Sequence, residues 1–285
     1  MIDLAYILLS YMYRRFNYKY NYKVGMTFRL CVLASGSAGN SLFIESGAIR
    51  LLVDAGISCK VLTSRLAVLG VDIASINGIL VTHEHADHVS AVRVIQKKHN
   101  IPLYANSPTI EGVERLKDME GLKWQVFSTG AEFNIGTVKV KTFSVPHDCY
   151  DPVGFVLSSE GISVAIVTDI GMPTSLVREC LKGCRAIVLE MNHDEGMLRD
   201  ADRHWSLKKR ILGRQGHLDN AKAAELLAEV AGPELKWIIP AHLSSDCNTA
   251  AMVSASLAKV LSRVGRQDIQ VVMTSQTAPS AVIEL

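Results

Sequence analysis

The sequence predicts an α+β fold in which two β-sheets pack face to face and helices cover their outer surfaces. From residue 26 onward, apolar strand-like runs alternate with helix-period segments, and residues 124–168 form consecutive strand-like runs. With 285 residues, of which 48% are hydrophobic, the chain can bury a large core. Because no repeat or low-complexity linker divides it, we expect one domain over residues 26–285.

The elements of this domain are expected in a defined order. The predicted strands lie at residues 30–33, 41–45, 50–53, 78–81, 103–105, 124–127, 137–143, 154–157, 163–168, 186–189 and 237–239. The predicted helices lie at residues 60–69, 88–98, 108–117, 174–181, 219–230 and 250–264. We interpret the polar stretch 192–215 as a segment inserted into the same domain.

The charge balance and the cysteines exclude some classes of protein. Thirty Lys and Arg stand against 28 Asp and Glu, and a net charge of +2 indicates neither a general nucleic-acid binder nor an acid-rich disordered chain. Any basic surface must therefore be local. The six cysteines form neither a CxxC pair nor a disulfide framework, so we expect them to be reduced and mostly buried.

Residues 1–25 differ in composition from the rest of the chain. Their apolar run, residues 4–9, is too short to span a bilayer, and the positive charges follow it instead of preceding it as in a secretory signal. We interpret residues 1–25 as an N-terminal extension that is either disordered or a mis-assigned start. The expected location is the cytoplasm, without a membrane partner.

The run ILVTHEHADHVSAV places four potential metal ligands directly after a predicted strand: His83, His85, Asp87 and His88. Alternate residues of an extended segment point the same way, so His83 and His85 can share one metal ion. Asp87 and His88 follow where the chain turns into the next helix, and they can face a second ion. Imidazoles and carboxylates without a thiolate favour zinc, manganese or iron.

Three further candidates come at the ends of predicted strands, where loops gather. His147 follows KVKTFSVP, Asp169 follows SVAIVT, and His242 follows LKWIIPA. A polar residue at a strand end can simply close a turn, so each of the three is a weak indication alone. Together with the HxHxDH motif they are expected to complete a metal site.

These residues resemble the metallo-β-lactamase superfamily over about residues 27–285. The resemblance implies a four-layer αββα sandwich that binds two divalent metal ions. The residues that it assigns to the first ion are His83, His85 and His147, and those that it assigns to the second are Asp87, His88 and His242. It further implies that Asp169 bridges both ions.

Two segments near the start of the domain are also similar to this superfamily. SGSAGNS (residues 35–41) and VDAG (residues 53–56) match its opening hairpin. In that hairpin the aspartate, here Asp54, usually supports the metal loop without binding metal. Asp54 is therefore expected to contact a ligand from outside the metal site.

The superfamily includes lactamases, thioesterases, oxidoreductases and nucleases, so the site has to indicate the branch. A bridging carboxylate and a further aspartate make an anionic site that suits two ions about 3.5 to 4 Å apart. A hydroxide held between two such ions is suited to in-line attack at phosphorus. Glu190 after a strand and His217 before a helix are similar to the tRNA 3′-processing endonuclease branch. That similarity implies that Glu190 orients His217, which assists the leaving group. Alternatively, Glu190 and His217 only stabilise the loops that carry them. His193 is a further candidate that replaces one of the two or supports the site from outside.

The chain also resembles a bacterial group of compact proteins called YycJ-like or WalJ-like. The segments that carry this resemblance are LASGSAGNS, THEHADH, VPHD, LEMNHDEGMLR, WSLKKRILGRQGHLDN and AHLSSDCN. After His217 this chain has LDN where the group is expected to have LSN. This difference does not involve any of the expected metal ligands. The group looks like DNA exonucleases, which implies DNA as the substrate. The segments after Asp169 and after His242 are too short for the extra domains of the RNA-cleaving and thioesterase branches, so we expect a small, self-contained nuclease.

The inserted segment contains a local basic cluster. Its members, with two aromatic rings among them, are Arg199, Arg203, His204, Trp205, Lys208, Lys209, Arg210 and Arg214. The expected nucleic-acid contacts are Arg203, Trp205, Lys208, Lys209, Arg210 and Arg214, since cations neutralise phosphates and an indole stacks on a base. The alternative is a solvated helix face.

The leading hypothesis is a dinuclear phosphodiesterase, a DNA exonuclease that uses two zinc or manganese ions. A hydroxide held between the ions would attack phosphorus. Asp87 would be both a ligand and the partner of that hydroxide, Asp169 would position the ions, and His217 would aid departure. One alternative is a hydrolase of a small ester, thioester or lactam. Another is a non-catalytic regulatory protein that keeps the metal for structure.

Overall fold

The computed structural model describes residues 28–285 and contains two seven-stranded sheets. The predicted N-terminal extension, residues 1–25, lies outside the described residues. The first sheet has the spatial order β14 (Ile283–Glu284), β1 (Phe28–Ala34), β2 (Ser41–Ser46), β3 (Ile49–Val53), β4 (Gly78–Leu80), β5 (Leu103–Asn106), β6 (Trp124–Phe127). The second has the order β13 (Gln270–Val271), β12 (Trp237–Ala241), β11 (Ala186–Glu190), β10 (Ile162–Val167), β9 (Val153–Ser159), β8 (Val138–Ser144), β7 (Glu132–Ile135).

Helices cover the outer face of each sheet. Those on the first sheet are α1 (Cys59–Val68), α2 (Ala86–Val89), α3 (Val92–His99) and α4 (Ser107–Glu114), with a 3-10 turn at Ile73–Ser75. Those on the second sheet are α5 (Ser175–Leu181), α8 (Asn220–Val230) and α9 (Ala250–Arg263). Between β11 and α8 the inserted segment forms α6 (Glu195–Asp200) and α7 (Trp205–Leu212). The predicted four-layer αββα sandwich is confirmed.

Alternation along the strands explains the four layers. In β1, Leu30 and Val32 point into the core between the sheets, whereas Cys31 and Leu33 point into the core under the helices. Successive side chains of a strand lie on opposite faces, so a strand buried on both sides has a continuous apolar sequence. No helix within residues 28–285 is long and apolar enough to cross a membrane.

The structure differs from the predicted elements in several places. The helix expected at residues 88–98 is divided into α2 and α3, because the chain between them is bound to the loop after β3. There the backbone N–H of Ala91 donates to the carbonyl of Ala55 (2.9 Å). The Ser90 hydroxyl donates to the carbonyl of Gly56 (2.7 Å). The helices α6 and α7 and the short strands β7, β13 and β14 were not predicted.

Gly56 allows the metal-ligand motif to dock on the first sheet. The backbone N–H of Asn40 donates to the carbonyl of Asp87 (2.8 Å), and that of Gly56 donates to the carbonyl of Asn40 (2.8 Å). A Cβ added at Gly56 would lie 1.6 Å from the carbonyl oxygen of Asp87. The glycine therefore permits the close approach of two backbones that holds the HxHxDH motif in place.

The substitution Gly56→Ala is expected to destabilise the fold, because one of these packed backbones must move. Overpacking of this kind costs about 1 to 3 kcal/mol in the free energy of unfolding, so the midpoint of urea-induced unfolding should fall. Gly232→Ala is the control, since its Cβ would meet ordinary contacts at 3.4 Å or more. Equal midpoints for Gly56→Ala and the unmodified protein would contradict the prediction.

Candidate metal centre

The candidate metal centre lies at one edge of the two sheets, where several strands end. His83 follows β4 in the first sheet, and His147 follows β8 in the second. β10, β11 and β12 are parallel neighbours, so their carboxyl ends bring Asp169, Glu190 and His242 together. Such a crevice at the carboxyl ends of parallel strands is a common place for a binding site.

The structure brings the seven predicted ligands into two groups that share one carboxylate. Nitrogen atoms of three imidazoles lie within 4.8 Å of one another in the first group: His83, His85 and His147. The same distance limit joins one carboxylate and two imidazoles in the second group: Asp87, His88 and His242.

Asp169 lies between the two groups, and its carboxylate is close to an imidazole nitrogen of each. Oδ1 is 3.7 Å from Nε2 of His147 in the first group, and Oδ2 is 3.2 Å from Nε2 of His88 in the second. The backbone φ angles of Asp169 and His242 are +53° and +55°, in the left-handed region. Non-glycine residues are held there against strain mainly at functional sites, so the fold enforces this position of the carboxylate.

The imidazole hydrogen bonds show which nitrogen atoms face the centre. Nδ1 of His147 is 3.0 Å from the Gly216 carbonyl, and Nδ1 of His242 is 2.9 Å from Oε1 of Glu190. Both partners are acceptors, so both Nδ1 atoms carry protons. The Nε2 atoms of both rings are then the ones that face the centre. Donation of the outer N–H to a carbonyl or carboxylate is typical of metal-binding histidines.

Buried acceptors without partners converge on this point. Within the described residues, no hydrogen-bond partner exists for Nε2 of His83, His147 or His242, or for Oδ2 of Asp169. Leaving buried polar atoms without a hydrogen-bond partner costs free energy. Imidazole nitrogen atoms and carboxylate oxygen atoms are the ligand atoms that divalent ions such as zinc and manganese bind. The residues present therefore fit a centre of divalent metal ions.

The electrostatics of the cluster point the same way. Burial opposes ionisation of Asp169, yet His242 and His88 hold the pKa of its carboxyl well below its usual range. Against burial, Asp169 raises the pKa of His242 to about 10 and, together with Asp54, raises that of His88 well above normal. In the free protein, protons on these two rings neutralise the carboxylates. Cations would displace those protons on binding.

The imidazoles of His83 and His85 in the first group are less readily protonated than those of His88 and His242 in the second. Burial, reinforced by the neighbouring His88, lowers the pKa of His83 well below its ordinary value. Burial and His147 lower the pKa of His85. Burial opposes ionisation of Asp87 in the second group, but its hydrogen bonds with His242 and His88 lower its pKa. The lowered pKa values of His83 and His85 favour their neutral imidazoles, the protonation state that binds metal.

Asp54, the aspartate of VDAG, contacts both groups through hydrogen bonds, and its supporting role at a metal site stays a prediction. Its Oδ2 lies 2.8 Å from Nδ1 of His88 and accepts from the Thr82 hydroxyl (2.9 Å). That hydroxyl is in turn 2.9 Å from Nδ1 of His83. Thr82 and Asp54 are therefore bonded to each other, and each contacts one predicted ligand: Thr82 contacts His83, and Asp54 contacts His88. The position of Thr82 directly before His83 is the only feature of the sequence that points to this role.

Asn40, in the SGSAGNS segment, is a second contact that the sequence analysis missed. Its side-chain nitrogen lies 3.1 Å from Nε2 of His88 and 3.3 Å from Oδ2 of Asp87. The same amide also bonds Gly36 within its own loop. The opening hairpin thus reaches the second group directly, and an asparagine in a glycine-rich turn is the only signal for this in the sequence.

Glu190 connects the second group to His217. Its Oε1 lies 2.7 Å from Nδ1 of His217 and 2.9 Å from Nδ1 of His242, and its Oε2 accepts from the backbone N–H groups of Ile170 (2.8 Å) and Leu218 (3.1 Å). Four hydrogen bonds use the lone pairs of the carboxylate, so none is left for a metal ion. Burial opposes its ionisation, but the charge and hydrogen bond of His217 lower the pKa of Glu190 to about 2.

His217 has the neighbours that the sequence similarity implied. It lies next to Glu190 at the edge of the cluster, with 20% of its side chain exposed. Burial disfavours its charged form, but Glu190 raises the pKa of His217. His193 is not part of this pair: its Nδ1 is 3.3 Å from Oδ1 of Asn192, whose amide donates to the His242 carbonyl (2.8 Å). Support by His193 from outside the site stays a prediction.

Gly216 couples the inserted segment to the centre. Its carbonyl accepts from His147, and a Cβ on it would lie 2.2 Å from the carbonyl oxygens of Arg210 and Ile211 at the end of α7. Only glycine allows this approach. The basic helix is therefore anchored next to both His147 and His217.

The predicted nucleic-acid contacts all lie on or beside α7, but several already have partners. Arg203 is paired with Asp246 (2.7 Å), and Arg210 is paired with Asp148. Lys208 donates to a backbone carbonyl (2.5 Å). A cleft of about 250 Å³ contains Arg203, Arg210 and His217 in its lining. We call it the His217 cleft.

The remaining members form an open basic surface. Within the described residues Lys209 and Arg214 have no ion pair, and Trp205 is 57% exposed with Nζ of Lys209 5.8 Å from its ring centre. A larger cleft of about 730 Å³, the α7 cleft, is lined by Lys209, Arg210 and Arg214. Because Asp148 and Arg210 line both clefts, the two meet at this ion pair.

Comparison with known proteins agrees with this architecture. The Beta-lactamase superfamily domain matches residues 49–242. Exodeoxyribonuclease YycJ of Bacillus anthracis is 37% identical over 241 residues, 84% of this chain and 91% of the relative. Exodeoxyribonuclease WalJ of Streptococcus pneumoniae serotype 2 is 33% identical over 239 residues, which cover 83% of this chain and 89% of the relative.

Solved structures show the same fold. The metallo-β-lactamase fold protein YhfI from Bacillus subtilis superimposes with a TM-score of 0.69 at 16% identity, covering 91% of this chain and all (100%) of the other. At that identity the likeness concerns the fold alone. The sequence relatives and the family match go further: this chain belongs to the metallo-β-lactamase superfamily and, within it, to the group of YycJ-like and WalJ-like proteins.

Proposed function

We propose that this protein is a DNA exonuclease that depends on two divalent metal ions, zinc or manganese. The observation that carries the proposal is the Glu190–His217 pair beside the cluster of unpaired acceptors, in a cleft that also contains Arg203 and Arg210. Cations around such a site favour a phosphodiester over a neutral ester or lactam. The names of the two relatives, both exodeoxyribonucleases, support the same substrate.

In this proposal the seven clustered residues hold the ions. His83, His85 and His147 would hold the first ion, Asp87, His88 and His242 would hold the second, and Asp169, which lies between the two groups, would bind both. When bound, a pair of divalent ions activates water and neutralises charge on phosphoryl oxygens. Asp87, with 26% of its side chain exposed, is the ligand that can also accept a hydrogen bond from the attacking water.

His217 acts on the other side of the scissile phosphorus. Glu190 holds its Nδ1 proton, which leaves Nε2 for the substrate. A proton donated from Nε2 to the leaving oxygen would prevent an alkoxide from accumulating. Because Glu190 also binds His242, the same carboxylate fixes the proton donor relative to the second group.

The basic residues bind the strand. Lys209 and Arg214 are available for phosphates without breaking an ion pair, while Arg210 must exchange Asp148 for a phosphate. We also propose a cytoplasmic location. All six cysteines are unpaired, as that compartment requires.

End-labelled DNA incubated with the purified protein and manganese or zinc tests the function. Stepwise release of nucleotides from one end, abolished by a chelator, is the expected result. Intact DNA together with hydrolysis of a thioester or lactam would contradict the proposal and favour the small-molecule alternative.

Loss of His217 should harm only reactions that need a proton donor. General-acid catalysis contributes about 100-fold or more, so His217→Ala should lower kcat on DNA by about that factor. On a phosphodiester with a p-nitrophenolate leaving group, which departs without a proton, the loss should stay below about tenfold. Initial rates on both substrates and the metal content of the variant are measured.

The metal content of His217→Ala should equal that of the unmodified protein, because His217 lies outside both proposed ligand groups and its hydrogen bond goes to Glu190. The matched control is His99→Ala on α3, on the first sheet, which should leave both rates unchanged. Equal losses on the two substrates would show that His217 does not protonate the leaving group.

Lys209 and Arg214 should determine the salt dependence of DNA binding. Removing one cation that neutralises a phosphate reduces the slope of log K against log salt by about 0.7 for single strands, so alanine at both positions should reduce it by about 1.4. Fluorescence anisotropy in the presence of a chelator measures this without cleavage. Lys97→Ala with Lys98→Ala removes the same charge from α3 and should not change the slope. Identical slopes for the two double variants would contradict the assignment.

A further inference from the structure

A third cleft, of about 400 Å³, opens beside His147 and is not basic. We call it the Tyr150 cleft. Its lining includes Pro146, His147, Tyr150, Pro152, Leu176 and Gln215. Its volume is within the range of small-molecule binding sites. One wall is thus a proposed metal ligand, and the rest combines apolar side chains such as Leu176 with polar ones such as Asp151 and Gln215.

The apolar side chains of this cleft are exposed to a degree that requires an explanation. Tyr150 is 50% exposed and Leu176 is 49% exposed. Large apolar side chains gathered in a concave surface mark binding sites more often than scattered ones do. The side-chain amide of Gln215 makes no hydrogen bond within the described residues and is available for a polar edge of a ligand.

The loop that carries Tyr150 is held rigidly from below. The buried Glu84 of the HxHxDH motif, which is 8% exposed, accepts from the backbone N–H of Tyr150 (2.8 Å). Asn106 and Thr129 donate to the Asp151 carboxylate (3.0 and 2.6 Å). Glu84 belongs to neither ligand group, so its place in the motif is explained by this contact. Such anchoring prepares the ring for binding before a ligand arrives.

The tyrosine ring itself is fixed and has an open face. The guanidinium of Arg115 donates to the Tyr150 hydroxyl (2.5 Å) and lies over the ring at 5.4 Å from its centre. A cation over one face of an aromatic ring leaves the opposite face for stacking. Half of the side chain is exposed, so part of the ring is accessible to a ligand.

The Tyr150 cleft adjoins the basic α7 cleft. Pro146, Thr174 and Gln215 line both of them. A nucleotide consists of a charged phosphate and a flat base with an apolar face. The two clefts offer one surface for each part, cations in the first and an aromatic ring in the second, next to the candidate metal centre.

We infer that the Tyr150 cleft binds a nucleobase next to the scissile phosphate, with the base stacked on the Tyr150 ring. The inference rests on the proposed function and adds a base subsite to it. Stacking requires only a flat aromatic surface, so the subsite accepts any base and rejects a sugar without one. The enzyme would therefore sense that a base is present without reading which base it is.

Single strands that lack one base test the inference. The end from which the protein degrades DNA is first established with labelled strands. An abasic residue is then placed at the first or the second nucleotide from that end, the two that flank the first scissile bond. Removing the stacked base should lower kcat/KM at one of these positions by about tenfold, within the range of stacking energies.

Variants assign the effect to the cleft. Tyr150→Ala should reduce the ratio of rates on the complete and abasic strands to about one. Tyr150→Phe keeps the ring and loses only the hydroxyl, so its ratio should stay near tenfold. Val68→Ala, at a side chain 77% exposed at the end of α1, is the control for a change at a distant apolar site.

The outcomes separate this inference from the proposed function. Cleavage at equal rates with and without the base, or a tenfold ratio that survives in Tyr150→Ala, would overturn the base subsite and leave the nuclease intact. Failure of the unmodified protein to cleave any strand would overturn the proposed function and this inference with it.

Discussion

The buried carboxylate of Asp169 faces imidazole groups on both sides, and this concentration of potential ligand atoms governs the architecture of the site. Acceptors that point at one another repel unless a proton or a cation lies between them. The surroundings prevent the repulsion from being relieved by movement. Asp169 and His242 are fixed in left-handed backbone conformations, and the outer nitrogen atoms of His147 and His242 are bound to fixed acceptors. The fold therefore maintains a strongly cation-attracting point at the edge of its two sheets.

Glu190 extends this constraint to the chemistry. One buried carboxylate binds His242 of the second group and His217 at the edge of the cleft, and two backbone N–H groups fix the carboxylate itself. The proposed metal ligand His242 and the proposed proton donor His217 thus keep a constant spacing, which is how an enzyme avoids reorganisation during the reaction. Gly216 attaches the basic helix α7 to the same region through His147. The proposed binding, activation and leaving-group functions depend on one continuous set of buried contacts.

Much of this could be predicted from the sequence, for identifiable reasons. The strands and the clustering of the candidate ligands were predictable because HxHxDH and the strand-end residues His147, Asp169 and His242 combine a chemical type with a position in the pattern. Their division into two groups was implied by the resemblance to the superfamily. Contacts between loops that are distant in the sequence could not be predicted. Glu84 and Tyr150 are 66 positions apart, and Asn40 and Asp87 are 47 apart, so only the packing of loops reveals them. The helices α6 and α7 were missed because their residues are mainly polar and bury only a small core.

The most direct test of this account is anomalous X-ray scattering from crystals of the protein loaded with manganese. We predict two peaks: one among His83, His85 and His147, the other among Asp87, His88 and His242, and each in contact with an oxygen of Asp169. A single peak, or peaks that do not touch Asp169, would contradict the claim that this carboxylate bridges two ions.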